Sequence, residues 1–208
     1  EAIETLQRAQ SAYRAADRLW NVAECERNIA DSLDYSSREA EALTSFERAQ
    51  AIFDARGDDN QVRYCTMRRS QILHEVGNFT ASERLTRRLY NELLAEDDSE
   101  KYGYTYWVGL HQAGNLLMLE RFEEVLNLTD TLNDDKAEAN PRNLAWKHTM
   151  RARALMALDR EDEAMSEVDA GLAVTDNDTM NSETAFLYQI RAGILLGHDN
   201  NAGERDLA

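Results

Sequence analysis

The spacing of small residues constrains this chain more than any other feature of its sequence. An alanine or serine followed three places later by leucine occurs at Ala30/Leu33, Ser70/Leu73, Ala113/Leu116, Ala152/Leu155 and Ala192/Leu195. The steps between the small residues are 40, 43, 39 and 40. A period of that size marks a stacked-repeat architecture, in which each unit buries its face against its neighbours. The first four pairs are followed at +12, +16 and +19 by a second set: Ala42, Phe46 and Ala49; Ser82, Thr86 and Leu89; Val125, Thr129 and Leu132; Ala164, Val168 and Gly171. A small residue at a helix crossing lets two backbones approach to the short end of the usual range of about 8–10 Å. Large neighbours fill the space around it, each contributing roughly 1.5–3 kcal/mol when buried. The pattern therefore predicts helical hairpins whose two helices touch at their small residues.

The punctuation agrees with that reading. Short polar turns at 34–37, 77–80, 120–122 and 159–162 divide the helices of each hairpin, with capping residues expected to close them. Longer breaks at 56–60, 96–99, 133–136 and 175–178 separate successive hairpins. The single proline, Pro141, follows Asn140, a good N-cap before a good first helical residue. Full repeats are expected near 20–56, 59–96, 99–134 and 141–175, with partial ones at 1–18 and 181–208. The chain reads as one all-α domain over 1–208, excised from a longer protein.

Composition narrows the partners. The net charge of −16 argues against a nucleic-acid phosphate backbone, which needs a basic footprint, and against an anionic membrane surface. No apolar run approaches the roughly 20 residues needed to span a bilayer, so a cytoplasmic location is the default expectation. Only three of the 23 basic residues are lysines, which hints at a GC-rich genome. Cys25 and Cys65 make neither a disulfide framework nor a metal motif, and both read as small core residues.

The cadence resembles the tetratricopeptide repeat in its longer form of about 40 residues per unit. Its small residue, the leucine three later, and its small–large–small trio are complete at Ala30, Leu33, Ala42, Phe46 and Ala49, and nearly so at Ala152, Leu155, Ala164, Val168 and Gly171. Ala2, Leu6 and Ala9 look like the tail of an earlier repeat, whereas Ser82, Thr86 and Thr129 depart from the pattern. The resemblance implies a right-handed α-α superhelix whose first helices line a concave groove, and it implies a protein- or peptide-binding scaffold rather than an enzyme. Arrays with repeats this long also resemble the peptide-sensing domains of bacterial signalling proteins and transcription regulators.

A helical wheel turns 100° per residue, so the position six before each small residue lies at 120°, away from the leucine. Tyr64, Trp107, Trp146 and Phe186 occupy that position, with Glu24 in the first unit. The same stripe carries Arg27, Asn28, Asp31, Met67, Arg68, Gln71, Leu110, His111, Met118, Met150, Arg153 and Ile190. Aromatics and methionines beside arginines and amides suit a partner peptide, offering apolar area plus donors for its carbonyls. The expected partner-binding residues are Arg27, Asn28, Tyr64, Met67, Arg68, Trp107, Leu110, His111, Trp146, Met150, Arg153 and Phe186. The alternative is that the aromatics cover the preceding hairpin and belong to the packing.

Chemistry is scarce elsewhere. The sequence has no Gly-rich phosphate loop, nucleophile elbow or His-Glu metal helix, and its carboxylates fall in turns and on polar faces. Catalytic residues, cofactors and metals are therefore not expected. His111 and His148 stand 37 apart, close to the repeat step, so they could approach across neighbouring helices. Arg84, Arg87 and Arg88 read as a solvated face. Asp31 stands one turn after Arg27, where it would repel a bound carboxylate, so a carboxylate-clamp site is not expected. Self-association through unfinished array ends is the third option.

Overall fold

The computed structural model describes residues 1–96, 102–136, 139–175 and 182–205, with side chains in the last stretch to Leu196. Among the described residues every regular element is an α-helix: α1 (Ala2–Ala15), α2 (Leu19–Tyr35), α3 (Glu39–Asp54), α4 (Asp59–Glu75), α5 (Phe79–Glu96), α6 (Tyr102–Met118), α7 (Phe122–Thr131), α8 (Pro141–Ala157), α9 (Glu161–Val174) and α10 (Ser182–Arg205). The chain divides into two compact units, Glu1–Asn91 and Glu92–Ala208. In each, consecutive helices pack as hairpins: α1 on α2, α2 on α3 and α3 on α4 in the first; α6 on α7, α7 on α8, α8 on α9 and α9 on α10 in the second.

The first unit is built around the small residues. Ala30, Ala42, Phe46, Ala49 and Phe53 are fully buried in one cluster with Leu33, Cys65 and Ile72, and Ile3 and Leu6 of α1 pack against it. The polar departures from the pattern are also buried, and each has a partner. Ser82 Oγ donates to the Ser70 carbonyl at 2.7 Å and lies 3.0 Å from Ser70 Oγ, joining α4 to α5. Thr86 bonds back to the Ser82 and Glu83 carbonyls of its own helix. A hydroxyl can thus replace a methyl at the crossing because the preceding turn accepts its proton.

The second unit packs tighter at one point. A Cβ on Gly171 would stand 2.8 Å from Leu187 Cδ1 of α10 and 2.9 Å from His148 Cβ of α8. No other residue fits where α9 passes between those helices. Thr129 in α7 bonds back to the Val125 carbonyl at 2.8 Å, as Thr86 does in α5.

The turns are closed differently from expectation. The residue seven after each small one, Ser37, Gly77, Glu120 or Asp159, has a positive φ of 54° to 79°. The next backbone N–H then reaches back over the helix end: Arg38 to the Leu33 carbonyl, Asn78 to Leu73, Arg121 to Leu116 and Arg160 to Leu155, at 2.8–3.0 Å. This is the Schellman closure, in which a left-handed residue satisfies the last carbonyls. Side-chain N-caps from Arg38, Arg121 and Arg160 are absent, and each arginine instead pairs with the glutamate three residues on: Glu41, Glu124 or Glu163. Asp58, Asn78 and Asn140 do cap α4, α5 and α8.

The last small–leucine pair departs from the other four. Ala192 and Leu195 are exposed, and α10 packs instead through Leu187 and Ile194, which are buried, with Ile190 at their edge. No second helix follows among the described residues to cover that face.

Candidate functional site

In the first unit the expected stripe lies where α2 and α4 run side by side, and its polar residues bind one another. Arg27 Nη1 donates to Gln61 Oε1 at 2.8 Å and Nη2 to Asn28 Oδ1 at 3.1 Å. The Arg27 guanidinium also sits 5.4 Å from the Tyr64 ring centroid. Tyr64 Oη donates to the Asp31 carboxylate at 3.0 Å, and Arg68 bridges Asp31 at 3.2 Å and Asp34 at 2.7 Å. Burial pushes the Tyr64 phenol up, and the Asp31 carboxylate beside it pushes in the same direction. Arg27 and Arg68, two of the three arginines read as ligand donors, are therefore occupied by amides and carboxylates of this chain. That pairing explains Asp31: it bonds Tyr64 and Arg68, tying α2 to α4.

In the second unit the same stripe is made of rings. Tyr104 stacks on Trp107 with centroids 5.9 Å apart. His111 contacts Trp107 edge-on at 4.4 Å and Trp146 at 4.9 Å, so the imidazole links the indole of α6 to that of α8. Trp146 lies over Gly114, where an added Cβ would stand 3.9 Å from the indole Cζ2. Trp107, His111 and Trp146 are half-buried. Arg153 is exposed two turns beyond Trp146, with no hydrogen bond or ion pair to any described residue. On α10, Phe186 is half-exposed.

Three of the twelve expected binding residues are core residues. Met67 is 3% exposed, Leu110 is fully buried and Met150 is 2% exposed. Each lies three or four residues from a stripe aromatic, but a first helix here is flanked by both its hairpin partner and the next first helix. The open strip is narrower than a wheel built on one packing face allows. Asn28 is partly buried beside Arg27.

A polar cluster that sequence reasoning missed joins α8 to α9. His148 Nδ1 lies 2.7 Å from Glu167 Oε2, and Arg151 Nε donates to Glu167 Oε1 at 2.6 Å. Burial raises the Glu167 carboxyl, but the bonds from His148 and Arg151 outweigh it and hold it below the ordinary carboxylate value. Arg151 also reaches Thr129 and Asp130 of α7, at one side of a cleft of about 340 Å³. His148 is thus committed to Glu167 and His111 to the indoles. Among the described residues, no group of three or more His, Cys, Asp or Glu could hold a metal ion. None of their helices is long and apolar enough to cross a membrane. The side chain of His198 lies outside the described residues.

No protein-family model matches the chain, and no curated protein matches it significantly. Among solved structures it is similar to the crystal structure of the P58(IPK) TPR domain, at 14% identity and a TM-score of 0.34. That match covers 94% of this chain and 66% of the other. The all-helical hairpin architecture rests on the helices and turns described above rather than on this likeness.

Proposed function

We propose that the chain is a tetratricopeptide-like, non-catalytic module that binds a protein or peptide along the first-helix face of its second unit. One observation carries this reading. The polar stripe residues of the first unit are bonded to one another, whereas the second unit carries half-buried rings and, two turns along the same helix, Arg153, exposed and without a hydrogen bond or ion pair to any described residue. Trp107, His111 and Trp146 would supply rigid apolar area, Phe186 a further anchor, and Arg153 a donor for backbone carbonyls. Tryptophan and arginine are the residue types that most often dominate interface energetics, at about 2–4 kcal/mol each. Arg27, Asn28, Tyr64 and Arg68 hold the first unit together on this reading and make no contact with the partner.

The test uses exposed residues, so that folding is not at issue. Peptides selected from a displayed library against the full chain are titrated calorimetrically against Arg153→Ala and Phe186→Ala. Each substitution is expected to weaken binding tenfold or more with an unchanged melting temperature, and binding should shift the tryptophan emission. Selected peptides that bind both variants as tightly as the parent chain would overturn the assignment.

A further inference from the structure

Charge in the second unit is sorted by helix. The second helices α7 and α9 carry eight carboxylates and no lysine or arginine. The first helices that hold the rings are the reverse: α6 has no Asp, Glu, Lys or Arg, and α8 has four cations and no carboxylate. Two of those four are committed inside the molecule, Lys147 to Asp134 and Arg151 to Glu167 and Asp130. The other two, Arg142 and Arg153, are exposed. Arg153 has no ion pair with any described residue, and the Arg142 side chain, 74% exposed, meets only Glu183 at 3.9 Å. At 100° per residue, Arg142, Trp146 and Arg153 fall within about 40° of one another, so one face of α8 reads cation, ring, cation. The carboxylates of the second helices gather elsewhere. Glu123, Asp130, Glu163 and Glu167 line a cleft over Arg151 and Leu155, which lie on the opposite side of α8 from Arg153. The first unit is built otherwise: α2 supplies Asp31 and Asp34 to Arg68 of α4, so its stripe is neutralised from within.

We infer that the peptide held by this face carries acidic side chains on both sides of an apolar one, the apolar residue against Trp146 and the acids against Arg142 and Arg153. The inference rests on the binding reading above and adds the chemistry of the partner. A carboxylate accepts two parallel bonds from a guanidinium and carries the opposite charge, which makes it a stronger acceptor than a backbone carbonyl. Spacing follows from the helix, since Arg142 and Arg153 stand about 6 Å and about 10 Å from Trp146 along the axis. An extended peptide laid along α8 rises about 3.3 Å per residue. One acid therefore stands about two residues from the apolar anchor, and the other about three residues away on its far side.

A random displayed peptide library selected against the full 208-residue chain and read by deep sequencing gives the first test. Enriched sequences should carry Asp or Glu on both sides of Leu, Phe or Trp at those distances. The second test titrates one enriched peptide and its two single acid-to-amide forms calorimetrically against the parent chain, Arg142→Gln and Arg153→Gln. Both substituted positions are exposed, so the melting temperature should not move. Each amide should weaken binding to the parent about tenfold, and should cost nothing further in the variant that lacks the matching arginine. Enriched peptides without acids would overturn the inference, as would an amide that costs as much in the glutamine variants as in the parent. Either result leaves the binding face standing if Phe186→Ala still weakens the peptides. A library that yields no binder would overturn the binding reading, and this inference with it.

Discussion

The two units solve one packing problem with different chemistry. Where α2 meets α4, the first helices are joined by hydrogen bonds and ion pairs among Arg27, Asp31, Asp34, Gln61, Tyr64 and Arg68. Where α6 meets α8, they are joined by Trp107, His111 and Trp146 edge to face. Tyr64 and Trp107 stand at the same repeat position, yet one ends as a hydrogen-bond donor to a carboxylate and the other as a link in a ring stack. The difference bears on availability. A polar ligand group approaching the first unit must displace bonds already made, whereas the half-buried rings of the second unit meet one another through ring contacts.

The comparison can be broken by attacking each unit's own adhesive. The largest effect is expected from Gly171→Val in the second unit, since even a Cβ there overlaps Leu187 and His148. The cost should be about 3 kcal/mol, read as a lower urea midpoint and lost hydrogen-exchange protection in α8 to α10. Trp146→Ala should cost about 2 kcal/mol through lost ring contact and a vacated seat over Gly114. That loss should be the same at low and high salt.

Glu167→Gln should cost about 1.5 kcal/mol at neutral pH, because the bond from the charged Arg151 guanidinium to the carboxylate is weakened. The parent chain gains stability from ionised Glu167 above the ordinary carboxylate pKa, and loses it as pH falls through the lowered folded value. Urea midpoints of the variant should therefore change less with pH over the acid range. The smallest effect, about 1 kcal/mol, is expected from Asp31→Ala in the first unit, where the pair is about one-third exposed and water screens it. Its signature is salt: 0.5 M NaCl should narrow the gap between Asp31→Ala and the parent. A salt-independent gap would mean that the α2–α4 contact is packed like the α6–α8 contact.

Much of the helical hairpin was legible because it repeats. Ala30, Ala42, Phe46 and Ala49 are buried for the reason their spacing implies: helices that cross at small residues need them every time. The Arg-x-x-Glu pair that opens α3, α7 and α9 recurs at +8 and +11 from the small residue, so it too was there to be read. The turn closure was harder to see, because only Gly77 among its four left-handed residues is glycine, and serine, glutamate and aspartate carry a weaker signal for that conformation. The stripe was legible as a stripe but not as a surface. Arg68 is separated by 34 and 37 residues from the carboxylates that occupy it. Met67, Leu110 and Met150 point near enough to the second packing face to be covered. A one-dimensional pattern shows which side of a helix a residue takes, and the width left open depends on how closely its neighbours pack.

The two cysteines have a practical consequence. Burial holds the Cys25 thiol above its ordinary value and pushes the Cys65 thiol up to about 12, and neither is bonded to the other. Thiolate is the species that reacts with alkylating reagents and peroxide, so in the folded state both sulfurs should be inert near pH 7. The molecule then behaves as a natural cysteine-free background. A single cysteine introduced on an exposed helix face would be the one site to take a fluorophore or spin label, while Cys25 and Cys65 would react only on unfolding and so report it.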